Sequence, residues 1–199
     1  MARPSRYGAS DLLDAAVRLA AEGGPAAVTM AAVAKSVGAP SGSVYHRFAD
    51  RPALLSELWL RTLDNFQSGF LSALESTAPR TAAMDAARHT VCWARDHPAE
   101  ARVLRYNPRD FEQARWPQEA GRALQAANTR VYGAVHTLAH RLGATGQVDV
   151  ERVVVAVIDV PYALVQRHLQ EGSPVPSHVL ETVAQCTAAL LPGGGEPPS

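Results

Sequence analysis

Apolar residues return at every third or fourth position through nearly the whole chain, and the every-other-residue alternation of a half-buried strand is almost absent. That period confines the chain to an all-α fold. Its breakers then divide the helices. Ser10 reads as an N-cap with Asp11 and Asp14 in the first turn, and Leu12, Leu13, Ala16, Val17, Leu19 and Ala20 form an apolar stripe that Gly23-Gly24-Pro25 ends. Thr29 opens a short second helix to about Val37, with Val33 and Ala34 inward, and Gly38 closes it. A third runs from Pro40 or Ser41 to Arg47, since proline suits a first helical position that needs no donor. Asp50 caps a fourth, carrying Leu54, Leu55, Leu58, Trp59, Leu63, Phe66, Phe70 and Leu74. Beyond Ala78-Pro79, helices are expected near 80–96, 98–105, 117–142, 149–171 and 176–191, with 106–116 irregular or a single short turn, making about nine in all.

At 199 residues and 47% apolar, the chain can bury a sizeable core as one domain or as a small head on a larger body. The pattern favours the second arrangement: residues 1–52 as a three-helix head, 53–191 as a helical body, and the Pro/Gly-rich 192–199 as a disordered tail. Nineteen Lys and Arg balance nineteen Asp and Glu, so net charge selects no partner. Within the head, Arg3, Arg6, Arg18, Lys35, Arg47 and Arg51 face only Asp11, Asp14, Glu22 and Asp50, a weak basic surplus. Cys92 and Cys186 are too few and too far apart for a disulfide or metal framework, which points to a reducing cytoplasm. The stretch Met1–Arg6 lacks the apolar core of a secretory signal, and no 18-residue apolar run could span a membrane.

Two short helices joined by a tight glycine-containing turn satisfy the helix-turn-helix pattern. The second must be short enough to enter a major groove, small or polar outside, and pinned from behind. In Gly38–Phe48, Val44 and Phe48 lie four apart and face inward, whereas Ser41, Gly42 and Tyr45 share the opposite side, flanked by Ser43 and His46. Gly42 costs roughly 1 kcal/mol against alanine inside a helix, a cost that a close backbone approach to a groove wall or phosphate would offset.

The stretch from Thr29 to Leu55 resembles the DNA-binding signature of the TetR family of transcription regulators. The likeness combines the apolar spacing, Gly38, the Tyr45-His46-Arg47-Phe48 ending and the Asp50-Arg51-Pro52-Ala53-Leu54-Leu55 helix start. It covers about the first quarter of the chain; past residue 60 only the general helical layout is similar. The resemblance implies phosphate contacts from Thr29 and Arg51, a backbone or thymine-methyl contact from Tyr45, a backbone contact from His46, and base-facing positions at Ser41, Gly42 and Ser43. Arg47, often aromatic in the family, adds a phosphate contact, while Ala31 stands where some members carry a polar reader. Arg3 and Arg6 could reach a minor groove or stay in solvent.

One such head contacts too few phosphates for strong specific binding, so a homodimer on a pseudo-palindromic double-stranded operator is expected, acting in the cytoplasm at the nucleoid. The seam is placed on the last two helices. Val153, Val154, Val157, Ile158, Val160, Tyr162, Leu164 and Val165 leave the eighth apolar nearly all round, and Val179, Leu180, Val183, Ala184, Ala188, Leu190 and Leu191 serve the ninth. Pro161 should kink the eighth helix and free a carbonyl toward a cavity beside Tyr162, or else mark a packing adjustment. His89, Trp93, Tyr106, Phe111, Trp116, Tyr132, His136 and Tyr162 together suggest a pocket for a small organic effector. Its binding would release a repressor from its operator, with the fourth helix as the mechanical link. No enzyme, cofactor or metal is expected: His136 and His140 have no carboxylate on the same turn, and Gly193-Gly194-Gly195 follows no strand. The rival reading is a helical sensing or interaction module that no longer binds DNA.

Overall fold

The structure is a computed structural model that describes residues 8–192. Arg3, Arg6 and the tail residues 193–199 lie outside the described residues. Among those described there is no strand, and there are nine helices: α1 (Ala9–Gly23), α2 (Met30–Val37), α3 (Ser41–Tyr45), α4 (Arg51–Leu74), α5 (Pro79–Asp96), α6 (Pro98–Leu104), α7 (Gln118–Arg141), α8 and α9. Helix α8 starts as Gln147–Val154, widens into a π turn at Val155–Asp159, and resumes as Val160–Gln170; α9 is His178–Leu190. The span 106–116 folds into two 3₁₀ turns, Pro108–Phe111 and Gln113–Arg115.

Most helix ends have a visible chemical cause. Helix α1 begins a residue before Ser10: Gly8 occupies the N-cap, and its N–H donates to Asp11 Oδ2 at 2.8 Å. Asp11 therefore closes the first turn in place of the expected Ser10 cap. Thr29 caps α2 as expected, its hydroxyl accepting from the Ala32 N–H at 3.1 Å. Gly38 ends α2 at φ 71°, and the Ala39 N–H returns to the Ala34 carbonyl at 2.9 Å, the six-to-one bond that closes a helix through a left-handed residue. Asp50 Oδ1 accepts from the Ala53 N–H at 2.9 Å at the start of α4. At the other end of α4, the Arg141 guanidinium donates to the carbonyls of Leu74, Ser76 and Thr77, supplying partners that the last turn lacks.

The chain forms two compact units. The first takes the residues up to Leu63 and Ala99–Gln125; the second takes Asp64–Pro98 and the residues from Ala126 onward. In the first unit, Leu12, Val17, Val33, Val44, Phe48, Leu54, Leu58 and Trp59 share a core with Val103, Phe111, Trp116 and Leu124. The second unit's core draws Ala82, Ala83 and Ala86 of α5 against Val135 and Leu138 of α7, Val153 and Val157 of α8, and Phe70 and Leu191. Its alanines leave room for helices to approach closely.

The π turn settles the question raised by Pro161. A proline ring clashes with the carbonyl four residues earlier and donates no hydrogen bond. The extra residue relieves the crowding, and the Val160 N–H bonds five residues back to the Val155 carbonyl. In that register Pro161 would have served the Ala156 carbonyl. The buried Thr187 hydroxyl of α9 serves it instead, at 3.1 Å. The freed carbonyl therefore faces a partner helix rather than a cavity beside Tyr162, and Tyr162 is exposed.

Candidate nucleic-acid interface

The α2–turn–α3 element is held from one side only. Val44 is fully buried and Phe48 is 1% exposed, whereas Tyr45, one residue on from Val44, is 58% exposed. His46 and Arg47 are exposed and Ser43 is half-buried. Ser41 opens the helix, and its side chain lies outside the described ones. Helix α3 is one turn and a fraction long, continued by bonds from the His46 N–H to Gly42 and from the Phe48 N–H to Val44. A side chain built on Gly42 would meet nothing within 4 Å. No described neighbour requires glycine there, and the backbone at Gly42 is exposed. Thr29 and Ala31 are exposed on α2.

Arg51, expected to contact a phosphate, is held within the protein in the absence of DNA. Its Nε donates to the Val28 carbonyl at 2.6 Å, its Nη2 to the Pro25 carbonyl at 2.7 Å, and its Nη1 pairs with Glu112 Oε1. The guanidinium thus ties the start of α4 to the turn between α1 and α2. Glu112 could not be found from sequence, because it stands 61 residues further on and nothing local marks it. Nearby, the Tyr106 hydroxyl would lie 3.0 Å from a side chain added at Gly24, whose φ of +73° already favours glycine.

The eight residues expected to form an effector pocket fall into three surroundings. Tyr106, Phe111 and Trp116 belong to the first unit: Phe111 is fully buried against Trp59 with ring centroids 5.1 Å apart, and the Trp116 indole donates to the Phe111 carbonyl at 2.7 Å. They belong to or pack against the core that the first unit shares with the head. His89 and Trp93 belong to the second unit. Both rings lie against Phe66, and His89 Nε2 reaches the Phe66 carbonyl at 2.9 Å. Burial lowers the His89 pKa and the charge of His97 adds to that, while the bond to Phe66 opposes both. Tyr132, His136 and Tyr162 are exposed. Among the described residues no group of three or more His, Cys, Asp or Glu could hold a metal, and no helix is long and apolar enough to cross a membrane.

Residues 12–58 match the family model described as bacterial regulatory proteins, tetR family. No protein of curated function matches the chain. Among solved structures, the TetR family transcriptional regulator PfmR from Thermus thermophilus superposes with a TM-score of 0.72 at 17% identity, covering 96% of this chain and 98% of that one. The transcriptional regulator FadR from Bacillus subtilis, solved in complex with stearoyl-CoA, gives 0.72 at 14% identity over 95% and 100%. The ketosteroid transcriptional regulator KstR2 of Mycobacterium tuberculosis gives 0.71 at 22% identity over 96% and 96%. At these identities the likeness establishes a shared fold.

Proposed function

We propose that the chain is a transcription regulator of the TetR type, a homodimeric repressor that leaves its operator when a small organic effector binds. The observation that carries the reading is the two-sided α3: Val44 and Phe48 hold it from behind, and the open Gly42 and exposed Tyr45 leave its other face unused by the protein. Residues 1–52 supply the DNA-binding domain, with Ser41, Gly42 and Ser43 toward base edges and Thr29, Tyr45, His46 and Arg47 toward the backbone. Residues 53–191 supply dimerisation and sensing, and no catalytic step is assigned to any of them.

The apolar residues that α8 and α9 leave half-exposed support a seam on these helices. They include Val154, Val155, Ile158, Leu164, Leu180 and Leu190, and Tyr162 is 46% exposed. Two copies joined there would present two reading helices roughly 34–36 Å apart, one turn of a pseudo-palindromic duplex. The effector is assigned to the apolar small molecules, since the second unit is built around aliphatic side chains, with His89 and Trp93 as its candidate polar contacts. Binding would favour a conformation whose heads no longer fit successive grooves, and a coupling of about 1–3 kcal/mol changes occupancy roughly 5–150-fold. Helix α4, unbroken from Arg51 to Leu74, is the proposed link.

The test is binding to the duplex that flanks the protein's own reading frame, at two salt concentrations and against a mixed-sequence duplex. Specific binding that weakens steeply with salt is expected, because phosphate contacts release counterions. Equal affinity for both duplexes, or none at low salt, overturns the reading. Sedimentation of the free protein should return a dimer.

A further inference from the structure

Arg51 and Glu112 form an ion pair whose two ends differ in kind. The Arg51 end is fixed: two backbone carbonyls, Pro25 and Val28, hold the guanidinium beside Thr29, the residue that caps α2. The Glu112 end is a removable anion. Its side chain is 29% exposed and that of Arg51 26%, so water and ions reach both. Glu112 is also the one non-glycine residue at positive φ among those described, 59°, held between two 3₁₀ turns with its second oxygen taken by Arg115 Nη1 at 3.1 Å. Left-handed backbone is unfavourable for a residue with a side chain, and its persistence asks what the carboxylate does there. What it does is neutralise a cation next to the exposed end of α2, where the helix dipole and first-turn amides already favour an anion.

We propose that the Glu112 carboxylate stands in for a DNA phosphate on Arg51, so that binding to DNA exchanges an internal anion for an external one. The contact is autoinhibitory: while it is closed, the head offers one cation fewer to the duplex. The segment carrying Glu112 also carries Tyr106 and Phe111, packed behind the head, so any shift of that segment changes how tightly Arg51 is held. The idea rests on the DNA-binding reading above, and its test separates the two.

The full-length protein is titrated onto a fluorescently labelled mixed-sequence duplex, about three helical turns long, over a series of salt concentrations. Glu112→Gln should bind about fivefold more tightly or better, the lower end of coupling between linked sites. Its log–log salt slope should steepen by up to roughly 0.9, because in the parent the displaced Glu112 carboxylate takes up a cation and so cancels one released from the duplex. Glu112→Gly, which keeps the left-handed backbone without strain, should behave alike, and adding Arg51→Gln to either variant should remove the gain. If both Glu112 variants melt like the parent yet bind no more tightly and with the parental slope, the inference falls while the DNA-binding reading stands. If the parent itself ignores the duplex at low salt, both fall.

Discussion

The short helix α3 and the interrupted helix α8 solve opposite problems. Helix α3 is barely longer than one turn and is fixed by two side chains, yet it leaves an outer face of hydroxyls, ring nitrogens and bare backbone that the protein does not use. Helix α8 carries a fault in its own backbone and closes it internally, with Thr187 reaching across to Ala156, while aliphatic side chains remain partly uncovered. The first unit thus exposes polar groups on α3, and the second leaves aliphatic side chains of α8 and α9 partly uncovered. A polyanion would suit the first surface and another apolar surface the second, and the proposed DNA-binding and dimerising roles rest on this contrast.

The strongest way to break the contrast is at α3. Phe48→Ala should cost about 3–5 kcal/mol, since it empties a buried aromatic site. Tyr45→Ala should leave stability within about 0.5 kcal/mol and lower DNA affinity. Thermal melting of the two variants decides, and comparable losses would show that α3 has no free face. Next comes Thr187→Val, which strands the Ala156 carbonyl at constant shape and should cost about 1–3 kcal/mol. A neutral result in denaturant melts would mean that the π turn needs no help from α9.

Two glycines then sharpen the packing side. A side chain on Gly69 would run into the His89 ring, which packs on Phe66 and bonds its carbonyl, so Gly69→Ala should destabilise through overpacking of about 1–3 kcal/mol despite the better helix former. On α7, Gly133 faces open space, and Gly133→Ala should stabilise by about 0.5–1 kcal/mol. Melting temperatures that moved in the same direction would contradict this account of the Gly69 notch.

The smallest effect is that of pH. Burial depresses the His89 pKa, so folding favours the neutral ring. The stability it lends is fully present above the unfolded value near 6.5 and is lost as pH falls through the lower folded value. Acid melting curves should therefore be flatter in His89→Gln than in the parent.

Local chemistry was readable in the sequence and distant chemistry was not. The head could be drawn because its determinants are neighbours: Thr29 caps three residues ahead, Gly38 alone supplies the left-handed turn, and Val44 and Phe48 sit four apart. The partners of Arg51 were hidden because the acceptors that hold it, Pro25, Val28 and Glu112, are set by tertiary packing. The surroundings of the aromatic set were hidden for a related reason. Composition could group Tyr106, Phe111 and Trp116 with His89, but only the path of the chain shows that the first three return to the head's own core. Helix α8 looked apolar on nearly every side because an inserted residue shifts its phase midway, so that no single stripe fits both halves.

That insertion makes the second half of α8 answerable to chain length as well as to side-chain identity. Each residue turns an α-helix by about 100°. Deleting any one residue from 155–159 would remove the π turn and swing everything from Val160 to Gln170 by that angle, bringing the Pro161 ring back against a backbone carbonyl, pulling Thr187 off its acceptor and rotating Tyr162, Leu164 and Val165 onto new bearings. A single lost codon, with every surviving side chain unchanged, would thus redraw the surface proposed to join two copies.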